Sequence, residues 1–158
     1  MSETITYLEL DDPAMLREPG EPPRIEHSIE RVHDPELNRS LYEEVGAPHE
    51  WTERLSWSDG QWRAWADDIE TWVATVDGEA AGYLELQVAR GSTLISIFGL
   101  RKRFQGLGLG GALLAQGIRR GLELSDRVWV STNTMDGEHA LANYEARGMR
   151  PFKRETLA

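Results

Sequence analysis

The segment Ile97-Phe98-Gly99-Leu100-Arg101-Lys102-Arg103-Phe104-Gln105-Gly106-Leu107-Gly108-Leu109-Gly110-Gly111-Ala112-Leu113-Leu114 decides the reading of this chain. An apolar strand runs through a basic turn into a glycine-rich helix start. A helix N-terminus offers four unpaired backbone N–H groups and about half a positive charge. Gly106, Gly108 and Gly110 carry no Cβ atoms to hold a pyrophosphate away, so the stretch predicts a site for a phosphate-bearing cofactor.

Two glycine spacings coexist here. As G-x-G-x-x-G, Gly106, Gly108 and Gly111 match the dinucleotide-binding fingerprint, which needs an acidic residue closing the next strand about 20 residues on. Asp126 stands at that distance but precedes its strand, residues 127–132, and too little chain follows for another βαβ half. As Q/R-x-x-G-x-G, Gln105, Gly108 and Gly110 resemble the coenzyme A loop of the GNAT N-acetyltransferase superfamily, where the motif also sits late in the chain and after a strand. A second, independent motif agrees. Ala140-x-x-x-Tyr144-x-x-x-Gly148-Met149 resembles that family's A-x-x-x-Y-x-x-x-G-F ending, the last helix with its tyrosine and C-cap glycine. Asp136 is placed to N-cap a helix over residues 137–147, and Gly148 to supply the left-handed position after it.

The remaining composition bounds the class. The 158 residues are 40% hydrophobic and 28% charged, with no internal repeat, so one domain is expected over residues 1–158: an N-terminal strand and Pro-rich linker over 1–23 and a core over 24–158. No run reaches the roughly 18 apolar residues of a membrane span, and the acidic N-terminus is unlike a signal peptide, so a cytoplasmic protein is expected. Zero cysteine excludes a thiol nucleophile and a thiolate metal site. His27, His33, His49 and His139 are scattered without metal-ligand spacing, so no metal is expected. Residues 1–75 hold 6 basic and 18 acidic side chains, net −12, whereas residues 76–158 hold 11 and 9, net +2. Basic charge therefore gathers around the phosphate loop, where Arg101-Lys102-Arg103 either meets phosphate oxygens or forms a solvated turn. The acidic remainder disfavours nucleic acid and anionic membrane and favours a cationic acceptor.

Caps and periodicity lay out the elements. Residues 4–10 alternate as a strand, residues 13–23 form the Pro-rich loop, and residues 24–31 alternate again. Asp34-Pro35 opens a helix that Gly46 closes, and Ser58-x-x-Gln61 is a capping box for a helix to about Asp68. Residues 71–76, 82–89 and 93–100, separated by turns at Asp77-Gly78 and Gly91, predict a three-stranded meander. A long helix over 107–124, a strand, a helix and a final strand over 149–155 complete an α/β (α+β) layer structure. The resemblance implies a mixed, mostly antiparallel central sheet flanked by helices. Two strands usually follow the family's last helix, but only ten residues follow Gly148; in compensation, residues 4–10 supply an extra N-terminal strand. That strand is expected to pair with a sheet edge in the C-terminal half, within its own chain or across a dimer.

The resemblance further implies acetyl transfer from acetyl-CoA, as cosubstrate, to an amine acceptor: a small molecule, or a peptide or protein N-terminus. Presenting an amine of pKa near 10.4 as its free base at neutral pH costs about 4 kcal/mol, so a base, water chain or desolvating pocket must help. Glu85 is the candidate base. In Tyr83-Leu-Glu-Leu-Gln87 the polar side chains share one strand face, a pattern that a solvated face also explains. Tyr144 is placed by its motif to protonate or hydrogen-bond the leaving thiolate, or else packs its ring in the core. Backbone groups of residues 98–100 would meet the thioester and pantetheine if the strand splays there. The implied cofactor residues are then Phe98, Leu100, Gln105, Gly106, Leu107, Gly108, Gly110 and Gly111. Asn133, at a strand end, either bonds pantetheine amides or forms a turn. Five of six tryptophans fall between residues 51 and 72. Trp62 and Trp65 recur at helical spacing and are expected in the core, whereas Trp51 and Trp57 are candidates to wall a cationic acceptor pocket. A non-catalytic acyl-CoA-binding module would show the same phosphate loop, and a monomer or homodimer is equally compatible with the sequence.

Overall fold

The computed structural model describes residues 3–134 and 138–157, with the side chain of Glu138 excepted. Seven strands form one sheet: β1 (Glu3–Leu10), β2 (Ser28–Val32), β3 (Glu70–Val76), β4 (Glu79–Ala89), β5 (Ser92–Leu100), β6 (Val128–Asn133) and β7 (Arg150–Leu157). Their spatial order is β2-β3-β4-β5-β6-β1-β7. All neighbours are antiparallel except β5 and β6, which run parallel. Four α-helices flank it: α1 (Pro35–Gly46), α2 (Asp59–Asp68), α3 (Leu109–Leu124) and α4 (Glu138–Ala146).

The local signals act as their chemistry requires. The Asp34 carboxylate accepts from the Leu37 N–H to cap α1, with Pro35 at its first position. Ser58 and Gln61 form the reciprocal capping box of α2. Both meander turns need positive φ at two successive residues, supplied by Asp77 and Gly78 (50° and 80°) and by Arg90 and Gly91 (55° and 79°). The expected cap at Asp136 lies outside the described residues. α3 starts at Leu109 rather than 107, because Gly108 takes φ 88° and serves as its N-cap. The strand expected over 24–31 is shorter and later, Ser28–Val32, and residues 24–27 follow a loop in which the Arg24 N–H bonds the Leu107 carbonyl.

β1 occupies an interior position, between β6 and β7, with Ile5 opposite both Asn133 and Glu155. The extra N-terminal strand thus completes the C-terminal half of its own chain's sheet. Leu8 and Leu10 join Leu84, Leu86, Leu113, Leu114, Ile118, Val128 and Val130 in the main core, on the α3 side. Gly117 and Gly121 let α3 lie close, since Cβ atoms there would run into Leu84 and Val128. On the other face, α1 and α2 cover β3 to β5 through Leu41, Tyr42, Val45, Trp62, Val73, Tyr83 and Ile97.

Because β4 lies under helices on both faces, Tyr83, Leu84, Glu85 and Leu86 are all at most 1% exposed. The solvated face expected for Tyr83, Glu85 and Gln87 does not exist along residues 83–86. Gly46 ends α1 as expected, with φ −78°. It is glycine because the Trp51 ring lies against it, where a Cβ would approach Trp51 Cε3 to 2.6 Å.

Candidate active site

A cleft of about 770 Å³ opens where the sheet comes apart. β5 and β6 pair only at Thr93 with Val128 and Leu94 with Trp129, and diverge beyond them. On its other side β5 stays paired with β4, but with a bulge: Glu85 faces Ile97 and Leu86 faces Ile95, leaving Ser96 as the extra residue. A bulge increases twist and re-aims the strand. The splayed segment Ile95–Leu100 lines the cleft on one side, with Val130, Ser131 and Asn133 of β6 on the other.

One wall belongs to the glycine loop. Gln105, Gly106, Gly108, Gly110 and Gly111 line the cleft together with Phe98, Leu100 and, from α4, Asn143 and Tyr144. Tyr144 is 7% exposed, and its ring centroid lies 6.1 Å from that of Phe98. The loop's first two glycines are demanded by backbone angle, Gly106 at φ 81° and Gly108 at 88°. A Cβ on Gly106 would meet nothing within 4 Å, whereas one on Gly108 would meet the Pro23 backbone at 3.2 Å. A Cβ on Gly111 would meet Pro19 at 3.3 Å, and one on Gly148 would run into the Met15 carbonyl oxygen. The Pro-rich linker after β1 therefore packs along the base of this wall. At Gly108 the nearest reason for glycine is that linker, not only room for a ligand. Leu107 does not line the cleft: its side chain packs into a satellite core of Val76, Ala81, Phe104 and Leu109. Of the basic turn, Arg101 is held by Glu44 and Glu79, and Arg103 also pairs with Glu79. These two arginines are thus committed to carboxylates.

The opposite wall is made of side chains from the segment between α1 and α2. His49, Glu50, Trp51, Thr52, Glu53 and Arg54 line it, with Tyr42 and Val45 of α1 beneath. Trp51 is in the cleft as expected. Trp57 is not: it packs edge-on to Trp62 at 4.9 Å and Trp65 at 5.7 Å, beside a separate shallow depression bounded by Gln61, Asp67 and Asp68. Trp65, expected in the core, is only partly buried and donates its indole N–H to Glu85.

Glu85 requires the larger correction. Its side chain is fully buried, and it does not line the cleft. Oε1 accepts from Arg54 Nη1 at 2.9 Å, Trp65 Nε1 at 2.8 Å and Ser96 Oγ at 3.4 Å. Oε2 accepts from Asn38 Nδ2 at 2.9 Å, and Asn38 also donates to Thr71 Oγ1. A general base must come within hydrogen-bond reach of the proton it takes, or be linked to it by water. This carboxylate is surrounded by donors of its own protein and has no direct path to a substrate. The nearby Tyr83 hydroxyl is held well above its usual range by burial, with the Glu85 charge adding to the effect. Arg54, Asn38, Trp65 and Ser96 were not singled out as site residues from sequence. The signal was the phrase Pro48-His-Glu-Trp-Thr-Glu-Arg54, dense in ring and charge, whose Arg54 meets Glu85 31 residues further on.

Among the described residues, no group of three or more His, Asp or Glu is placed to hold a metal ion, and no helix is long and apolar enough to cross a membrane. Residues 35–149 match the sequence profile of the acetyltransferase (GNAT) family, and the chain belongs to that family. Solved structures share the fold at low identity. A GNAT-family acetyltransferase of Novosphingobium aromaticivorans superposes with a TM-score of 0.69 at 16% identity, over 99% of this chain and 63% of its own. An aminoglycoside acetyltransferase from an uncultured soil metagenomic sample, in complex with sisomicin, gives 0.64 at 18%, over 77% and 86%. The ribosomal-protein-S18-alanine N-acetyltransferase of Escherichia coli gives 0.59 at 19%, over 78% and 77%. The chain spans 58 to 63% of the length of several such neighbours. No curated protein sequence matches it.

Proposed function

We propose that this protein transfers the acetyl group of acetyl-CoA to an amine, with the phosphates on the glycine loop and the thioester in the splay between β5 and β6. The observation that carries the reading is the convergence on one cleft of the α3 N-terminus, the unpaired edge of β5 and Tyr144. Pyrophosphate oxygens would meet the N–H groups of Gly106 to Gly111, where the helix end favours negative charge. Pantetheine would run along residues 98–100 with Asn133 facing it, in the manner of an added strand.

The amine nitrogen attacks the carbonyl carbon, the C–O π pair moves to oxygen, and the β5 backbone offers that oxyanion its hydrogen bonds. Collapse breaks the C–S bond. Tyr144 donates its proton to the departing thiolate and recovers it from solvent. The amine's own proton leaves to water in the open cleft, since Glu85 is enclosed. Glu3, Glu50 and Glu53 border the cleft. Arg54, the one arginine there, is paired with Glu85. This charge balance supports a cationic acceptor. Residues 24–158 would form the catalytic domain, completed by the strand and linker of residues 1–23.

The enclosure of Glu85, with no carboxylate of β4 or β5 among the described residues that line the cleft, favours one other reading, an acyl-CoA-binding module without turnover. Incubation with acetyl-CoA and a panel of polyamines, aminoglycosides and peptides, scored by release of free thiol, separates them. Amine-dependent release is expected. Binding of acetyl-CoA with no release above hydrolysis for any acceptor leaves the binding module.

A further inference from the structure

Residues 51–54 have no regular secondary structure, yet they line the proposed acceptor side of the cleft. Such a wall needs something besides backbone ladders to hold its position. Arg54 leaves the loop and enters the space beneath α1 and α2. Its guanidinium carbon lies 4.6 Å from the ring centroid of Trp65, 5.0 Å from Trp57, 5.4 Å from Tyr42 and 6.0 Å from Trp62. The Tyr42 hydroxyl accepts the backbone N–H of Arg54 at 3.2 Å. At the end of this box stands Glu85, with Nη1 to Oε1 at 2.9 Å and side-chain exposures of 11% for Arg54 and 0% for Glu85. A buried carboxylate is tenable only when paired and hydrogen-bonded, and a guanidinium under aromatic faces keeps its charge with little hydration. The pair therefore joins a structureless loop to the most buried strand of the sheet.

We propose that Arg54 and Glu85 form a buried anchor that positions the acceptor wall, residues 49–54, so that Arg54 is a positioning residue for acceptor binding and not itself a ligand of the acceptor. With Arg54 cancelled by Glu85, the wall's remaining charge is that of Glu50 and Glu53, which line the cleft. The inference rests on the acetyltransferase reading for its kinetic consequence but not for its structural one.

The test compares Arg54→Met, Glu85→Gln and the double variant. Each single change leaves a buried charge or donor unpaired and is expected to destabilise the fold; the double removes both charges and is expected to recover much of the loss. In the double variant the thermal shift given by acetyl-CoA should match wild type. The KM for the best amine of the panel should rise about tenfold or more, with kcat within about threefold. Amide exchange over residues 49–57 should quicken, whether or not any amine is turned over. Wild-type KM and wild-type exchange in the double variant would overturn the anchor. So would an unchanged KM with a lower kcat and a displaced pH profile, which would make Glu85 a proton acceptor. If the double variant does not fold, Arg54→Lys decides, because it keeps the charge and loses the planar fork. A raised KM with faster loop exchange supports the anchor, and wild-type values of both reject it. Absence of turnover in the wild-type protein would remove the enzymatic reading, while loop exchange would still decide the anchor.

Discussion

The two walls of the cleft are built on opposite principles. The glycine-loop wall, proposed for the cofactor, is backbone: a strand edge, a turn with φ near 80° to 90°, and a helix end, all within residues 97–111. The opposite wall, proposed to take the acceptor, is side chain: a loop without regular structure whose Arg54 bonds Glu85, 31 residues away, which in turn accepts from Asn38, 47 residues away. A backbone-made site tolerates change in most side chains and recurs with one chemistry.

The widest test of this contrast removes what braces the cofactor wall from behind. Deletion of residues 1–12 takes β1 out from between β6 and β7, exposing two strand edges and emptying the places of Leu8 and Leu10, 0% and 1% exposed. Loss of either leucine alone is expected to cost about 2–5 kcal/mol. The truncated chain should therefore be insoluble or unfolded at 25 °C by circular dichroism. A soluble truncation with an unchanged melting temperature would show that β1 completes nothing.

At the chemistry between the walls, Tyr144→Phe should lower kcat by about 10²- to 10⁴-fold, the range of a general acid, and leave acetyl-CoA affinity near wild type. An unchanged kcat would return Tyr144 to a packing role against Phe98.

A paired substitution asks whether the cofactor wall's glycines answer to a ligand or to the backbone alone. Gly106 and Gly78 share φ near 80° and open space around the Cβ position. Alanine at either should cost about 1–2 kcal/mol without ligand. Only Gly106→Ala should also diminish the stabilisation by acetyl-CoA, about 2.7 kcal/mol at a hundred times Kd in the wild type. Equal thermal shifts in the two variants would move the phosphates off this loop.

The smallest effect concerns the brace between α3 and the meander. Arg120 binds Glu70 in a fork, Nε to Oε1 at 2.9 Å and Nη2 to Oε2 at 2.8 Å. The Arg120 hydrogen bonds are the main cause holding the Glu70 carboxyl below its ordinary 4.5, against the opposing effect of burial. A depressed folded value means that the stabilisation is present in full above the unfolded pKa and is lost as pH falls through the folded one. Glu70→Gln should thus cost about 1 kcal/mol at neutral pH, and urea titrations should show the gap from wild type closing as pH drops below 4.5. A gap of constant size down to pH 2 would contradict the assignment.

Sequence alone determined what short-range physics controls. The caps at Asp34 and Ser58, the two positive-φ turns, the glycine loop opening α3 and the Tyr144 motif each depend on residues within a few positions. The N-terminal strand was also legible, because an alternating segment is visible in the residues themselves. Tertiary structure decided the rest. That β4 is buried on both faces encloses Glu85 and pairs it with Arg54, and alternation along a strand cannot show which faces are covered. That the Met15 carbonyl leaves no room for a Cβ at Gly148 appears only when segments far apart in the chain are packed together. Backbone conformation is set by neighbours in sequence, whereas burial and charge pairing are set by neighbours in space. For that reason the glycine-loop wall could be read from the chain, and of the opposite wall only Trp51 could.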